Sequence, residues 1–361
     1  MVLPKFKGPL HEMAKTTPTE FWNDSCAVDE LQHAIDNGAV GATSNPVIVG
    51  EVLAKNFTAW MDPIKRIIAE MPTATEDEIT WKVVEEISVT AAKLLSPIHA
   101  AGDGRNGRLS IQTDPRYYRA SARMVEQAVH FNALAPNIIV KIPVTAAGVQ
   151  AIEEATYRGV SINATVCFTV PQALAVGEAV EKSLKRRAAE GKEIRNMGPV
   201  CTIMVGRLDD WLKQVANQND IVTDPSHLEW AGVSVMKNAY RLYQERGFRT
   251  RLLSAATRNH MHWSEFIGGD VAVTLTHQWQ RRFNGSTIKV KPSMQIPVDE
   301  RIVQGLLSEF EDFRRAYDPE GMTVQDFDLF GPTRRTLRSF IEGYHTLAGM
   351  IRDFIIENPD R

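Results

Sequence analysis

Eight short apolar or β-branched runs, separated by longer segments of helical periodicity, set the strongest limit on how this chain can fold. They fall at 21–26 (FWNDSC), 41–45 (GATSN), 108–113 (RLSIQT), 138–144 (IIVKIPV), 162–168 (INATVCF), 200–205 (VCTIMV), 251–256 (RLLSAA) and 271–275 (VAVTL). Between them lie segments such as 75–102 and 171–191, where apolar residues recur at three- and four-residue spacing. Strands that alternate with helices pair in parallel, and eight such units close on themselves. The pattern therefore predicts an α/β fold, a (β/α)8 TIM barrel. A doubly wound open sheet is the rival. It is disfavoured because no Gly-rich phosphate fingerprint follows the first run and because polar residues occur in many runs, as a barrel mouth requires.

After residue 290 the rhythm changes. KPSMQIPVDE acts as a connector before purely helical patterns, and 331–355 carries Leu337, Phe340, Ile341, Tyr344, Leu347, Ile351 and Phe354 as one apolar stripe. The 361 residues are expected to form one barrel domain, the barrel at about 20–290 and a helical extension at about 299–356, packed on the barrel or partly over its mouth. Trp and Phe residues near 279–283 and in the last helices fit either core packing or a contact in a homo-oligomer.

The formal net charge is -3 and the sequence pI near 6.3, so no global field steers the chain to nucleic acid or to an anionic membrane. Any anion must be held by a local cluster. Cys26, Cys167 and Cys201 are odd in number, far apart and set in strand-like runs, which reads as buried thiols of a reducing compartment. The amino terminus lacks the apolar core of a secretory signal, and no window approaches the roughly 20 apolar residues of a membrane span. A cytoplasmic protein is expected. HMHW at 260–263 lacks a second ligand cluster, so no metal is assigned, and GDGRNGR at 102–108 precedes a strand and reads as a tight connector.

Lys141 sits inside the apolar run IIVKIPV. A lysine is almost never fully buried without a partner. Either its stem snorkels at a strand rim, or its amine is held in a dry pocket with a lowered pKa, as a Schiff-base nucleophile requires. Side chains alternate along a strand, and the apolar face formed by Ile138, Val140, Ile142 and Val144 suits the surrounding helices, which turns Lys141 into the lumen. The same sorting places Asp24, Asn45, Gln112, Asn163, Thr165 and Thr202 inside. Singly, such residues more often satisfy backbone groups or cap helices. Together, an amine and a carboxylate among hydroxyls and amides suit imine chemistry on a polyol. Arg207 and Arg258 follow the sixth and seventh runs at the same end, placed to clamp an anionic group.

These stretches resemble the transaldolase family. The resemblance rests on GATSNP at 41–46, VKIPVTAAGVQAI at 140–152, INATVCFTVPQALA at 162–175, VGRLDDW at 205–211 and AATRN at 255–259, in the family's order. It implies that Lys141 forms an imine with a ketose donor and that Asp24 is the acid/base driving carbon–carbon cleavage. It further implies that Asn45 and Asn163 hold donor hydroxyls, Thr165 positions a catalytic water, Thr202 lines the site, and Arg207 and Arg258 grip phosphate. The implied activity is transfer of a dihydroxyacetone unit from fructose 6-phosphate or a similar ketose phosphate to an aldose phosphate, as in the pentose phosphate pathway, with no cofactor.

Three positions depart from the family. Gln112 stands where transaldolases place a glutamate, as it does in fructose-6-phosphate aldolases, which release dihydroxyacetone. Met204 matches neither the phenylalanine of the first group nor the tyrosine of the second. Ala256 replaces a phosphate-site serine, which opens the site to another anionic ketose such as a sulfo-sugar. Residues 184–198 and the helices near 300–330 have no obvious counterpart and are candidates to reshape the acceptor end. A binder of sugar phosphates without turnover is the reading from another class.

Overall fold

A computed structural model of the chain describes residues 6–102, 104–356 and 359. Eight parallel strands close a barrel in chain order: β1 (Glu20–Asn23), β2 (Gly41–Thr43), β3 (Arg108–Gln112), β4 (Ile138–Pro143), β5 (Ile162–Cys167), β6 (Val200–Ile203), β7 (Arg251–Ser254) and β8 (Ala272–Leu275). Ring closure is made by β1 and β8, with Trp22 opposite Thr274. All six residues of β4 are buried, as expected of a strand covered by helices outside and filled lumen inside. Trp22 fills the lower lumen; a Cβ on Gly41 would stand 2.5 Å from its ring, so β2 can pass there only as glycine.

Helix entries are written locally. After β2, β4, β5 and β8 the chain turns into a helix through Asn45, Thr145, Thr169 and Thr276, each accepting a main-chain N–H two or three residues into the helix. The long helix Glu76–Ala101 starts on a reciprocal Thr75–Glu78 capping box.

The carboxy-terminal segment is helical: Glu300–Glu309, Glu311–Tyr317, a 3-10 turn at Val324–Leu329, and Gly331–Ile355. In the last helix Leu337, Phe340, Tyr344, Leu347 and Ile351 are buried, with Ile341 and Phe354 half-buried. It packs on the helices Pro46–Lys55 and Glu76–Ala101. Tyr344 donates its hydroxyl to Asp77 at 2.6 Å, with the Arg116 guanidinium 4.2 Å above its ring.

One sequence expectation is corrected. Residues 184–198, the end of helix Val170–Ala189 and the connector behind it, do not reach the mouth. A helix that follows a parallel strand runs back to the strand origins, so the end of helix Val170–Ala189 and the connector behind it reach the amino-terminal end of the barrel. There Arg108, first residue of β3, donates to the Asn196 carbonyl. Of the helices near 300–330, those between 300 and 317 lie against the flank formed by Ala231–Arg246, whereas Asp328 in the 3-10 turn accepts from Ala146 N at 2.8 Å, at the start of the helix after β4; the last helix lines the mouth cavity through Ser339 and Phe340.

The three cysteines are buried thiols, Cys167 Sγ and Cys201 Sγ lying 3.9 Å apart on neighbouring strands. Among the described residues no helix is long and apolar enough to cross a membrane.

Candidate active site

A cavity of 420 Å3 opens at the carboxy-terminal ends of the strands. Asp24, Asn45, Lys141, Thr165, Thr202, Met204, Arg207 and Arg258 all line it. Gln112 and Asn163 do not: they lie in the layer that flanks Lys141, where strand register sets Gln112 opposite Lys141 and Lys141 opposite Asn163.

Lys141 is 5 % exposed, and its Nζ donates to the Ser44 carbonyl at 3.2 Å. Burial pushes its pKa down to about 8; the negative charge of Asp24 opposes the shift and the positive charge of Arg207 adds to it. Asp24 lies one residue beyond β1. The helix after it begins on Ala27 with no side-chain cap, so Asp24 is not spent on capping. Its Oδ1 accepts from Thr43 Oγ1 at 2.5 Å, and Thr43 Oγ1 is 2.7 Å from Thr274 Oγ1. Thr43 and Thr274 were readable from alternation, Thr43 sharing parity with Asn45, yet the carboxylate they orient lies past the strand end, where parity weakens.

Asn45 lies outside β2, which ends at Thr43. Its Oδ1 caps helix Pro46–Lys55, accepting from Ile48 N at 3.1 Å. Asn163 is locked on both arms, donating to Ser110 Oγ at 3.0 Å and accepting from Thr202 Oγ1 at 2.7 Å. Gln112 Oε1 and Thr165 Oγ1 are buried without a partner.

Thr165 is placed by an irregularity. The β5–β6 register shifts between Ala164 and Cys167, and Val166 adopts φ 55°, a left-handed conformation that a β-branched residue adopts only under constraint. Buried Gln172 supplies the constraint: Nε2 donates to the Val144 and Val166 carbonyls at 3.1 Å each, and Oε1 accepts from Phe168 N at 3.0 Å.

Arg207 lies in the first turn of helix Val205–Gln218, where the macrodipole disfavours a cation. Burial, then the charge of Arg258, holds it below the ordinary guanidinium value. It donates to Thr336 Oγ1 at 3.3 Å and faces the Phe340 ring. Arg258 is anchored by Asp210 Oδ2 and the Ala256 carbonyl, at 2.9 and 3.1 Å. A Cβ on Gly206 would stand 1.9 Å from the Ala256 carbonyl, so glycine is what lets the two arginine-bearing segments meet. Both guanidiniums line the mouth cavity at the start of this helix, an arrangement suited to an anion.

Beneath them lies a pair that sequence reasoning missed. His262 and Asp209 are both fully buried. His262 Nδ1 accepts from Arg258 N at 3.1 Å, which directs its Nε2–H to Asp209 Oδ2 at 2.8 Å; Asp209 Oδ1 accepts from Gly232 N at 2.8 Å. Burial raises the Asp209 pKa, and His262 is the largest influence holding it down. The HMHW stretch thus joins the helix of Arg207 to the loop of Arg258. Its signal was a histidine with no visible partner, and the partner lies 53 residues away.

The fold and site define a parallel (β/α)8 barrel with a buried amine, a carboxylate and two arginines at its carboxy-terminal mouth. The chain belongs to the transaldolase/fructose-6-phosphate aldolase family, whose model matches residues 21–321. It is 30% identical over 236 residues to a transaldolase of Thiobacillus denitrificans, covering 62% of this chain and 64% of that protein. A transaldolase of Thermobifida fusca is 30% identical over 211 residues, with 57% and 56% covered, and one of Mycobacterium ulcerans 28% identical over 232 residues, with 62% and 61% covered. The matched part thus spans about three fifths of these relatives.

Proposed function

We propose that the protein is a Schiff-base enzyme that moves a dihydroxyacetone unit from a ketose phosphate, such as fructose 6-phosphate, to an aldose phosphate. The observation that carries this reading is Lys141: an amine buried at the bottom of the mouth cavity, lowered to about 8, in the same cavity as Asp24. A group that only binds sugar gains nothing from a desolvated amine, whereas a carbonyl-directed nucleophile needs the neutral form.

In the proposed cycle Lys141 Nζ adds to the C2 carbonyl and water departs, leaving an iminium. Asp24 takes the proton of the C4 hydroxyl; the C3–C4 bond breaks, its electron pair passing into the iminium to give an enamine while C4 becomes the aldehyde of the departing fragment. The enamine carbon then attacks the acceptor aldehyde, Asp24 returns its proton to the new alkoxide, and water hydrolyses the iminium. Asn45 holds a donor hydroxyl at the cavity wall, while Asn163, outside the cavity lining and fixed by Ser110 and Thr202, backs Lys141 instead of taking a hydroxyl as the resemblance implied. Buried Gln112 Oε1, opposite Lys141 in the register, and Thr165 Oγ1, in the same cavity as Lys141, have no hydrogen-bond partner and are suited to orienting the water. Arg207 and Arg258 receive the phosphate, and Met204 and Phe340 shape the wall.

Gln112 favours a second reading, cleavage with release of free dihydroxyacetone. A neutral amide orients water but exchanges no proton with it. Free dihydroxyacetone formed from fructose 6-phosphate, followed with and without erythrose 4-phosphate, separates the two: turnover that needs the acceptor supports transfer, and release indifferent to it supports a lyase. At Ala256 the site lacks a side-chain donor, so a sulfonate competes with phosphate as the anionic end; a donor panel with both ends tests this.

A further inference from the structure

At the opposite, amino-terminal end of the barrel lies a second cavity, of 510 Å3, among the connectors that enter β3, β6 and β7. Four arginines, Arg105, Arg195, Arg249 and Arg251, line it, and none of the described residues lining it is acidic. Arg251 opens β7 and is 8 % exposed; it pairs with Glu20, while its Nη2 is buried without a hydrogen-bond partner. Arg105 pairs with Asp270, and Glu20 lies within 3.7 Å of it. Directly behind, buried Arg108 donates to the main-chain oxygens of Gly104, Ile138 and Asn196. Burial and the neighbouring Arg251 lower it to about 10.

Among the described residues the two carboxylates, Glu20 and Asp270, pair with Arg105 and Arg251, while Arg108 meets only main-chain oxygens. Arg249 adds a further charge at the exposed rim, where its main-chain N–H donates to Glu181 at 2.8 Å. Of these arginines, Arg108 and Arg251 are buried; buried cations without full compensation destabilise the folded chain, and a neutral side chain would fill this floor at less cost. An anion in the cavity, which Arg251 lines, offsets that cost.

We propose that this floor cavity binds a phosphorylated small organic molecule, its phosphate on Arg105, Arg249 and Arg251 and its carbon frame against Ile194, Met197 and Pro199. Its volume lies in the range of about 300–1,000 Å3 usual for small ligands. The whole chain is acidic, net -3, so the cluster is a local device and not part of a nucleic-acid-binding stripe. The barrel separates the cavity from the mouth, so the ligand does not compete with substrate there.

Calorimetric titration of the full chain carrying Arg207→Ala and Arg258→Ala, which disables the mouth, tests this with inorganic phosphate, glycerol 3-phosphate, fructose 6-phosphate, adenosine monophosphate and a short oligonucleotide as probes. Saturable binding of at least one small ester, tighter than that of inorganic phosphate, is expected. Reversal of the rim charge by Arg249→Glu should weaken it about tenfold or more. Arg251→Met, checked for folding by its melting curve, should act in the same direction. No saturable binding, inorganic phosphate binding as tightly as every ester, binding of the oligonucleotide alone, or affinity indifferent to Arg249→Glu would each overturn the proposal.

Discussion

His262 and Asp209, 2.8 Å apart and fully buried, tie the two arginine-bearing segments of the mouth into one unit. Since His262 also accepts from the Arg258 main chain, its loss loosens that loop while leaving Lys141 untouched. His262→Ala is expected to raise KM for phosphate-bearing donors about tenfold or more, with kcat changed much less and borohydride trapping of Lys141 intact. Asp209 left buried without its donor should also cost about 1–3 kcal/mol of stability. Steady-state kinetics and urea unfolding of the variant check both parts; an unchanged KM argues that the pair is structural only.

The lowered Lys141 pKa fixes a pH dependence. At pH 7 about one Lys141 in ten is neutral, against fewer than about one in a thousand at the ordinary lysine value. Imine formation should therefore rise with pH and level off above about 8. Stability follows the same group: between about 8 and 10.4 the unfolded chain binds more protons at this lysine than the folded one, so folding stability rises with pH across that window. Lys141→Met lacks this dependence. It should be more stable than the parent below pH 8, by at most about 3 kcal/mol, with the difference gone above about pH 10.5. Denaturant titrations of both proteins at pH 7 and above 10 measure this directly.

The barrel was legible in the sequence because eight runs alternate with helical periodicity, and period-two alternation needs no knowledge of partners. Lys141, Thr165 and Thr202 were legible for the same reason. Asn45 was not fully so: the strand ends at Thr43, and the amide oxygen serves a helix cap set by local chain direction. The bulge at Val166, the Asp209–His262 pair and the basic floor depend on residues far apart in sequence, and no local pattern announces them. Residues 184–198 were misplaced because a segment without a counterpart in the family suggested a change at the acceptor end, whereas chain direction sends it to the floor.

Asp24 divides binding from chemistry. Asp24→Asn keeps the hydrogen-bonding shape next to Thr43 but cannot take a proton. It should still allow a donor ketone to be trapped on Lys141, while carbon–carbon cleavage falls about 10²–10⁴-fold. Single-turnover measurement of aldehyde release, set beside trapping of the same sample, gives the comparison. Equal loss of both would move Asp24 to the imine-forming step.

Gln112 stands opposite Lys141 in the register. Gln112→Glu brings a carboxylate to the amine, and an opposite charge favours the ammonium. The midpoint of the trapping profile should therefore move above about 8. Added capacity to exchange protons with the water should also raise transfer relative to free dihydroxyacetone release. A midpoint that stays in place would mean that the new side chain turns away from the lumen.

The most direct test is chemical. The protein is incubated with fructose 6-phosphate or dihydroxyacetone, reduced with borohydride, and its peptides are mapped by mass spectrometry. A single adduct of the three-carbon unit on Lys141, absent from Lys141→Met, is expected. An adduct on another lysine, or none across a broad panel of anionic ketoses, would contradict a Schiff-base role for this buried amine.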